Sequence, residues 1–204
     1  MSFKEFKKLT NQNEMLDYAR NNFKHLAKGG ARIVYEIDND KVLKIVIKNK
    51  NDAILARWKE QNKNELNISQ QTELVAKVLE WENSSDIWWV LTEKVSPCTN
   101  DIFEEYSGVP YQKFFDFIQS KRKPFISTGD KNILTTDAGH REDIFERAMK
   151  LSREYHLALF EMAHEPKKNG PCHWGINKKN DLVMLDYGIT WEYLNKFHNM
   201  GIKL

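Results

Sequence analysis

Cysteine is almost missing from this chain, with only Cys98 and Cys172 in 204 residues. Two thiols cannot build a disulfide framework or a four-cysteine metal site. Long apolar runs are missing too. Ile87 to Leu91 and Leu182 to Leu185 are far shorter than the ~18 residues that span a bilayer, so no membrane segment is expected. The opening MSFKEFKKLTNQNE has no apolar centre and does not read as a secretory signal, which predicts a cytoplasmic protein. Charge of one sign is scarce as well: 31 Lys and Arg face 29 Asp and Glu, leaving +2. That balance argues against a polybasic or polyacidic tail protein, and the short run Lys121-Arg122-Lys123 reads as a solvated face rather than a nucleic-acid surface. What the chain does have is 41% apolar and 12% aromatic residues, enough for a packed core and against disorder.

The patterning predicts an α+β protein. Residues 1–24 read as a polar helix, with Phe3, Phe6, Leu9, Met15 and Tyr18 near helical spacing. Ile33, Tyr35 and Ile37 alternate with Val34, Glu36 and Asp38, a strand pattern, and Val42 to Ile47 forms a second strand after the turn cluster Asp38-Asn39-Asp40. Residues 52–66 read as a helix, and Leu74–Trp81 and Ile87–Val95 as two more strands. The first half is therefore β-β-α-β-β. From Asp101 the chain reads as helical, with the clearest helices over Tyr111–Ile118 and Arg141–Ala163 and a polar loop over Lys121–His140. An apolar strand ends in Leu185-Asp186-Tyr187-Gly188.

Three features carry chemistry. Lys44 sits inside the apolar strand Val42-Leu43-Lys44-Ile45-Val46, and a buried ammonium requires a partner. Glu60 and Glu65 in the following helix are both candidates. Gly29 and Gly30 lie between two extended segments, where backbone N–H groups can approach a phosphate closely. Asp186 closes an apolar strand just before Gly188, a placement that can present a carboxylate to a divalent cation.

The order of these features resembles the protein-kinase-like family, closest to small kinase-like proteins of bacteria and phages. The residues that carry the likeness are Lys28-Gly29-Gly30-Ala31-Arg32-Ile33-Val34-Tyr35, then Val42-Leu43-Lys44-Ile45, then the helix with Glu65. His173-Trp174-Gly175-Ile176 and Leu182-Val183-Met184-Leu185-Asp186-Tyr187-Gly188 complete it. The resemblance implies a two-lobe fold: an N-terminal helical extension (1–25), an N-lobe of antiparallel sheet plus one helix (26–95) and a reduced, mainly helical C-lobe (96–204). It implies ATP and Mg²⁺ in the cleft, with Gly29 and Gly30 over the phosphates and Lys44 gripping them. Glu65 would orient Lys44, Glu93 would lie in the hinge against the adenine, and Asp186 would hold the metal.

Departures from the family pattern point to altered activity. Counting back from Asp186 puts His173 where the family has its metal-binding Asn, and Lys168 where it has the catalytic Asp. A lysine cannot act as that carboxylate, so Glu161 or Glu165 becomes the candidate, with His173 as a supplementary catalytic or metal residue. Ala27 and Arg32 stand where the family usually has glycine or a small residue. The resemblance thus implies a weak or atypical phosphotransferase. The rivals are a pseudokinase that works by binding a protein partner and a nucleotidyl transferase using the same cleft. Cys172, His173, His164 and His156 are a rival metal site, but their spacing fits no standard zinc pattern, and His156 and His164 fall on or just past the long helix.

Overall fold

The computed structural model describes residues 2–84, 86–122, 144–168 and 170–199 and is a mixed α+β structure. Two helices come first, α1 (Phe3–Phe6) and α2 (Gln12–Asn22). The Asn11 side chain caps α2 by accepting from the N–H groups of Asn13 and Glu14. The chain then runs through β1 (Lys24–Lys28), β2 (Arg32–Glu36), β3 (Lys41–Val46), α3 (Asp52–Ser69), β4 (Val78–Trp81) and β5 (Trp89–Glu93). The five strands form one antiparallel sheet in the order β1-β2-β3-β5-β4.

Both faces of this sheet are covered, which is why β3 reads as a nearly continuous apolar run. Leu43 and Ile45 turn toward α1 and α2, in a cluster with Phe6, Met15, Leu16, Ala19, Tyr35, Trp89 and Leu91. Helices α1 and α2, which fall in the segment expected as an extension, therefore share a core with the sheet. Lys44 lies in register between Val34 of β2 and Val90 of β5, and strand alternation turns it to the opposite face, under α3. β1 was not legible in the sequence because all five of its residues are exposed. It has no buried face to impose alternation.

The second half builds around a short antiparallel sheet, β6 (Ser96–Pro97), β7 (Trp174–Ile176) and β8 (Leu182–Met184), in the order β6-β7-β8. Helices α4 (Asn100–Ser107), α5 (Tyr111–Arg122) and α6 (Ile144–Glu154) contribute to the core around it, and α7 (Trp191–Asn199) lies against α3. Phe103, Phe114, Ile118, Leu151, Met162, Trp174 and Tyr187 are fully buried in this larger core. The helix expected over 141–163 is shorter. It stops at Glu154, His156 adopts φ 57°, and the chain resumes as a single 3-10 turn at Leu159–Glu161. From residue 123 onward the loop expected over 121–140 lies outside the described residues, as does the expected helix start over 141–143.

Candidate functional site

Lys44, Glu65, Arg32 and Asp186 meet in one cluster. Helix α3 crosses the sheet with Gln61 and Glu65 one turn apart, hence on one face. Glu65 is fully buried, and its Oε2 pairs with Lys44 Nζ at 2.9 Å. The same ammonium donates to the Leu185 carbonyl at 2.8 Å, which ties β3 to the segment after β8. Of the two acids left open by the sequence, Glu65 is the partner, and Glu60 faces Lys196 at 3.6 Å instead.

A second cation shares the site. Arg32, at the start of β2, is 6% exposed and places Nη2 2.8 Å from Glu65 Oε1 and 2.5 Å from Asp186 Oδ1. Its Nη1 donates to Asn62 Oδ1 at 3.2 Å, and Asn62 in turn donates to the Ile87 carbonyl. Gln61 Nε2 also donates to Asp186 Oδ1, at 3.2 Å. Two cations thus balance two carboxylates, so the burial cost of each charge is offset by its neighbours. Burial alone would raise the Asp186 carboxyl pKa. Arg32 foremost, with Lys44 and His173, holds it far below the usual carboxylate range. The Arg32 guanidinium is likewise held charged: burial opposes it, and Glu65 and Asp186 prevail.

Glycine sets the approach of the segment after β8 to α3. A Cβ at Gly188 would collide with the side chain and carbonyl of Gln61, and Asn64 donates to the Gly188 carbonyl at 2.9 Å. Only a residue without a side chain lets Asp186 sit this close to the helix. Tyr187 between them is fully buried and donates its hydroxyl to the Ala76 carbonyl.

The remaining predicted residues scatter. Gly29 and Gly30 form the exposed tip between β1 and β2, where Gly29 donates to the Arg32 carbonyl at 2.9 Å and a Cβ at Gly30 would meet open space. The Glu93 N–H donates to the Lys77 carbonyl and the Glu93 carboxylate accepts from the Lys77 N–H, so both groups tie the end of β5 to the chain before β4. Glu165 is paired with Lys168 at 3.0 Å on the surface, and no contact among the described residues links it to the cluster. Glu161 lies closer to it in effect, its carbonyl 2.6 Å from His173 Nδ1 and its Oε2 3.9 Å from the same atom. His173 is pushed up to about 9: burial opposes this, and a hydrogen bond to Cys172 and the charge of Asp186 favour the protonated ring. A separate hollow of about 240 Å³ lies between Tyr106, Arg147 and Leu182 and is lined by none of the cluster residues.

The donor set suits a phosphate group next to a hard cation in part. Magnesium is commonly held by one or two carboxylates with substrate phosphates and water supplying the rest, and Asp186 offers one carboxylate. His173 offers nitrogen, which suits a borderline transition metal better than magnesium. No family model matches the sequence, and no curated protein matches it.

Arg32, Gln61 and Asn62 escaped the sequence reading. The signal for Arg32 was its presence at a position expected to hold a small residue. Gln61 and Asn62 gave none, since polar residues in the middle of a helix are ordinary on a solvated face.

Proposed function

We propose that the chain is a kinase-like nucleotide-binding protein with two lobes, an N-lobe over 26–95 and a reduced C-lobe over 96–204, which binds ATP between them. The observation that carries this reading is the buried Lys44–Glu65 ion pair facing Asp186. The antiparallel order β1-β2-β3-β5-β4, with the lysine on the central strand and its acid on α3 across one face of the sheet, supports it. In this reading Lys44 holds phosphate oxygens and Glu65 fixes its direction. Arg32 adds a second positive group at the phosphate end. Magnesium at Asp186 would supply charge neutralisation between phosphate oxygens. With Lys168 in place of the usual catalytic Asp, Glu161 beside His173 is the remaining candidate acid, and phosphoryl transfer is expected to be slow.

Thermal unfolding with ATP, with and without Mg²⁺, tests the binding. Ligand at ~100 times its dissociation constant adds about 2.7 kcal/mol, and Lys44→Met should abolish the shift. Incubation with ATP labelled at the α or the γ position then separates nucleotidyl from phosphoryl transfer. A second reading, a pseudokinase that binds a protein partner, is favoured by one observation: Arg32 already occupies the Asp186 oxygen that a metal would use. Absence of any nucleotide-dependent shift in the wild-type chain would select it.

A further inference from the structure

The fold brings together three metal-ligating side chains that their sequence spacing had not suggested as a site. His164, Cys172 and His173 each offer one donor atom, and these atoms lie within 4.8 Å of one another. We propose that they form a binding site for a borderline transition-metal ion of the zinc class, with two imidazoles, one thiolate and a fourth position open to water.

The geometry favours this over chance proximity. The two imidazole rings are 4.3 Å apart at their centroids, with His164 Nε2 3.3 Å from His173 Nδ1. Tetrahedral zinc with arms of about 2.0–2.3 Å sets its ligand atoms about 3.3–3.8 Å apart. Closing the cluster therefore needs a movement of about 1 Å, within reach of rotation at the exposed Cys172. The backbone beneath is already fixed. His164 is clamped by Tyr111, whose hydroxyl accepts from the His164 N–H at 2.9 Å and lies 3.1 Å from its carbonyl. Trp174 Nε1 donates to the Met162 carbonyl at 2.6 Å, which holds β7 against the 3-10 turn.

The intervening loop folds back at Gly170, with φ 54° and its N–H on the Glu165 carbonyl. A Cβ there would press on Asn100, so glycine is needed for the return that delivers Cys172 beside His164. Ligation through His173 Nδ1, the ring atom that faces His164 Nε2, takes the place of the hydrogen bond that Nδ1 makes with the Glu161 carbonyl. The nitrogen and sulfur set excludes magnesium and calcium and suits zinc, cobalt or nickel. This site shares His173 with the nucleotide reading but does not rest on it.

The test is titration of the full chain with Co²⁺ as a spectroscopic stand-in for zinc. One equivalent should bind with a thiolate-to-metal absorption band and be displaced by Zn²⁺. Cys172→Ser should abolish the band and Cys98→Ser should leave it intact. His164→Asn should weaken binding by at least the ~10–100-fold that loss of an outer partner causes. A second measurement needs no variant: Zn²⁺ should protect Cys172 of the wild-type chain from alkylation. Absence of a thiolate band in the wild type, persistence of the band in Cys172→Ser, or unprotected alkylation at saturating Zn²⁺ would each overturn the proposal.

Discussion

Arg32 at the start of β2 and Asp186 beyond β8 form an ion pair of 2.5 Å although 154 residues separate them. The guanidinium also reaches Glu65, so one side chain holds two carboxylates from different parts of the chain. Removing one member of a buried ion pair typically costs about 3–5 kcal/mol, because the charge left behind stays out of water. The Asp186 side chain is 38% exposed and partly screened, which places Arg32→Ala at the low end, about 3 kcal/mol. Urea unfolding measures this, and Arg32→Lys should recover only part of the loss, since an ammonium cannot span both acids.

Lys44→Met is expected to destabilise less than Arg32→Ala. Glu65 keeps Arg32 at 2.8 Å, and what is lost is the Lys44 contact with Glu65 and the donor to the Leu185 carbonyl, a cost of about 1–3 kcal/mol. The order of the two midpoints in urea checks this. A larger loss for Lys44→Met would mean that Lys44, not Arg32, holds the cluster together.

Acid should weaken the fold through Asp186. Its carboxyl is held below the ordinary value in the folded chain: burial opposes ionisation, and Arg32, Lys44 and His173 outweigh it. A depressed folded pKa gives stability that is complete above the unfolded value of about 3.9 and is lost as pH falls below it. The stability difference between wild type and Asp186→Asn should therefore be constant from neutral pH down to about 5 and shrink on further acidification. Unfolding free energies taken across that range test the sign. A difference that grows toward low pH would contradict the assigned charge balance.

Much of this arrangement could be read from the chain, for identifiable reasons. The β2–β3 hairpin was legible because an alternating run and a nearly continuous apolar run flank the turn cluster Asp38-Asn39-Asp40. Lys44 stood out because a charge inside an apolar strand requires compensation, and Asp186 because an apolar strand ended on it. β1 was invisible, since five exposed residues carry no pattern. The break after α6 was missed because His156 takes a positive φ with no glycine or proline nearby to announce it. Arg32 was noticed only as a departure, because its role exists only when β2, α3 and the end of β8 converge. The same holds for His164 and Cys172: their spacing along the chain matches no zinc pattern, and the loop through Gly170 creates their proximity.

Gly188→Ala tests how tightly α3 must lie against the segment that carries Asp186. The added methyl would collide with Gln61, whose carbonyl belongs to the helix backbone and cannot rotate away. Overpacking of this kind costs about 1–3 kcal/mol, and here relief requires α3 to move outward, carrying Glu65 away from Lys44. Calorimetry should show a lower Tm. Under the nucleotide reading, ATP-dependent stabilisation should fall further than in a variant of matched stability outside the cluster.

Glu161 and Glu165 were equal candidates for the missing catalytic carboxylate, and the fold separates them. Glu161 has a 12% exposed side chain beside His173, whereas Glu165 is half exposed and engaged by Lys168. If the chain transfers phosphate, Glu161→Gln should lower the rate by the ~10²–10⁴-fold that general-base loss causes, and Glu165→Gln should leave it unchanged. Release of label from γ-labelled ATP under single-turnover conditions measures both variants. Equal effects of the two substitutions would remove Glu161 from this role, because a carboxylate on the surface and one beside His173 cannot serve the same proton.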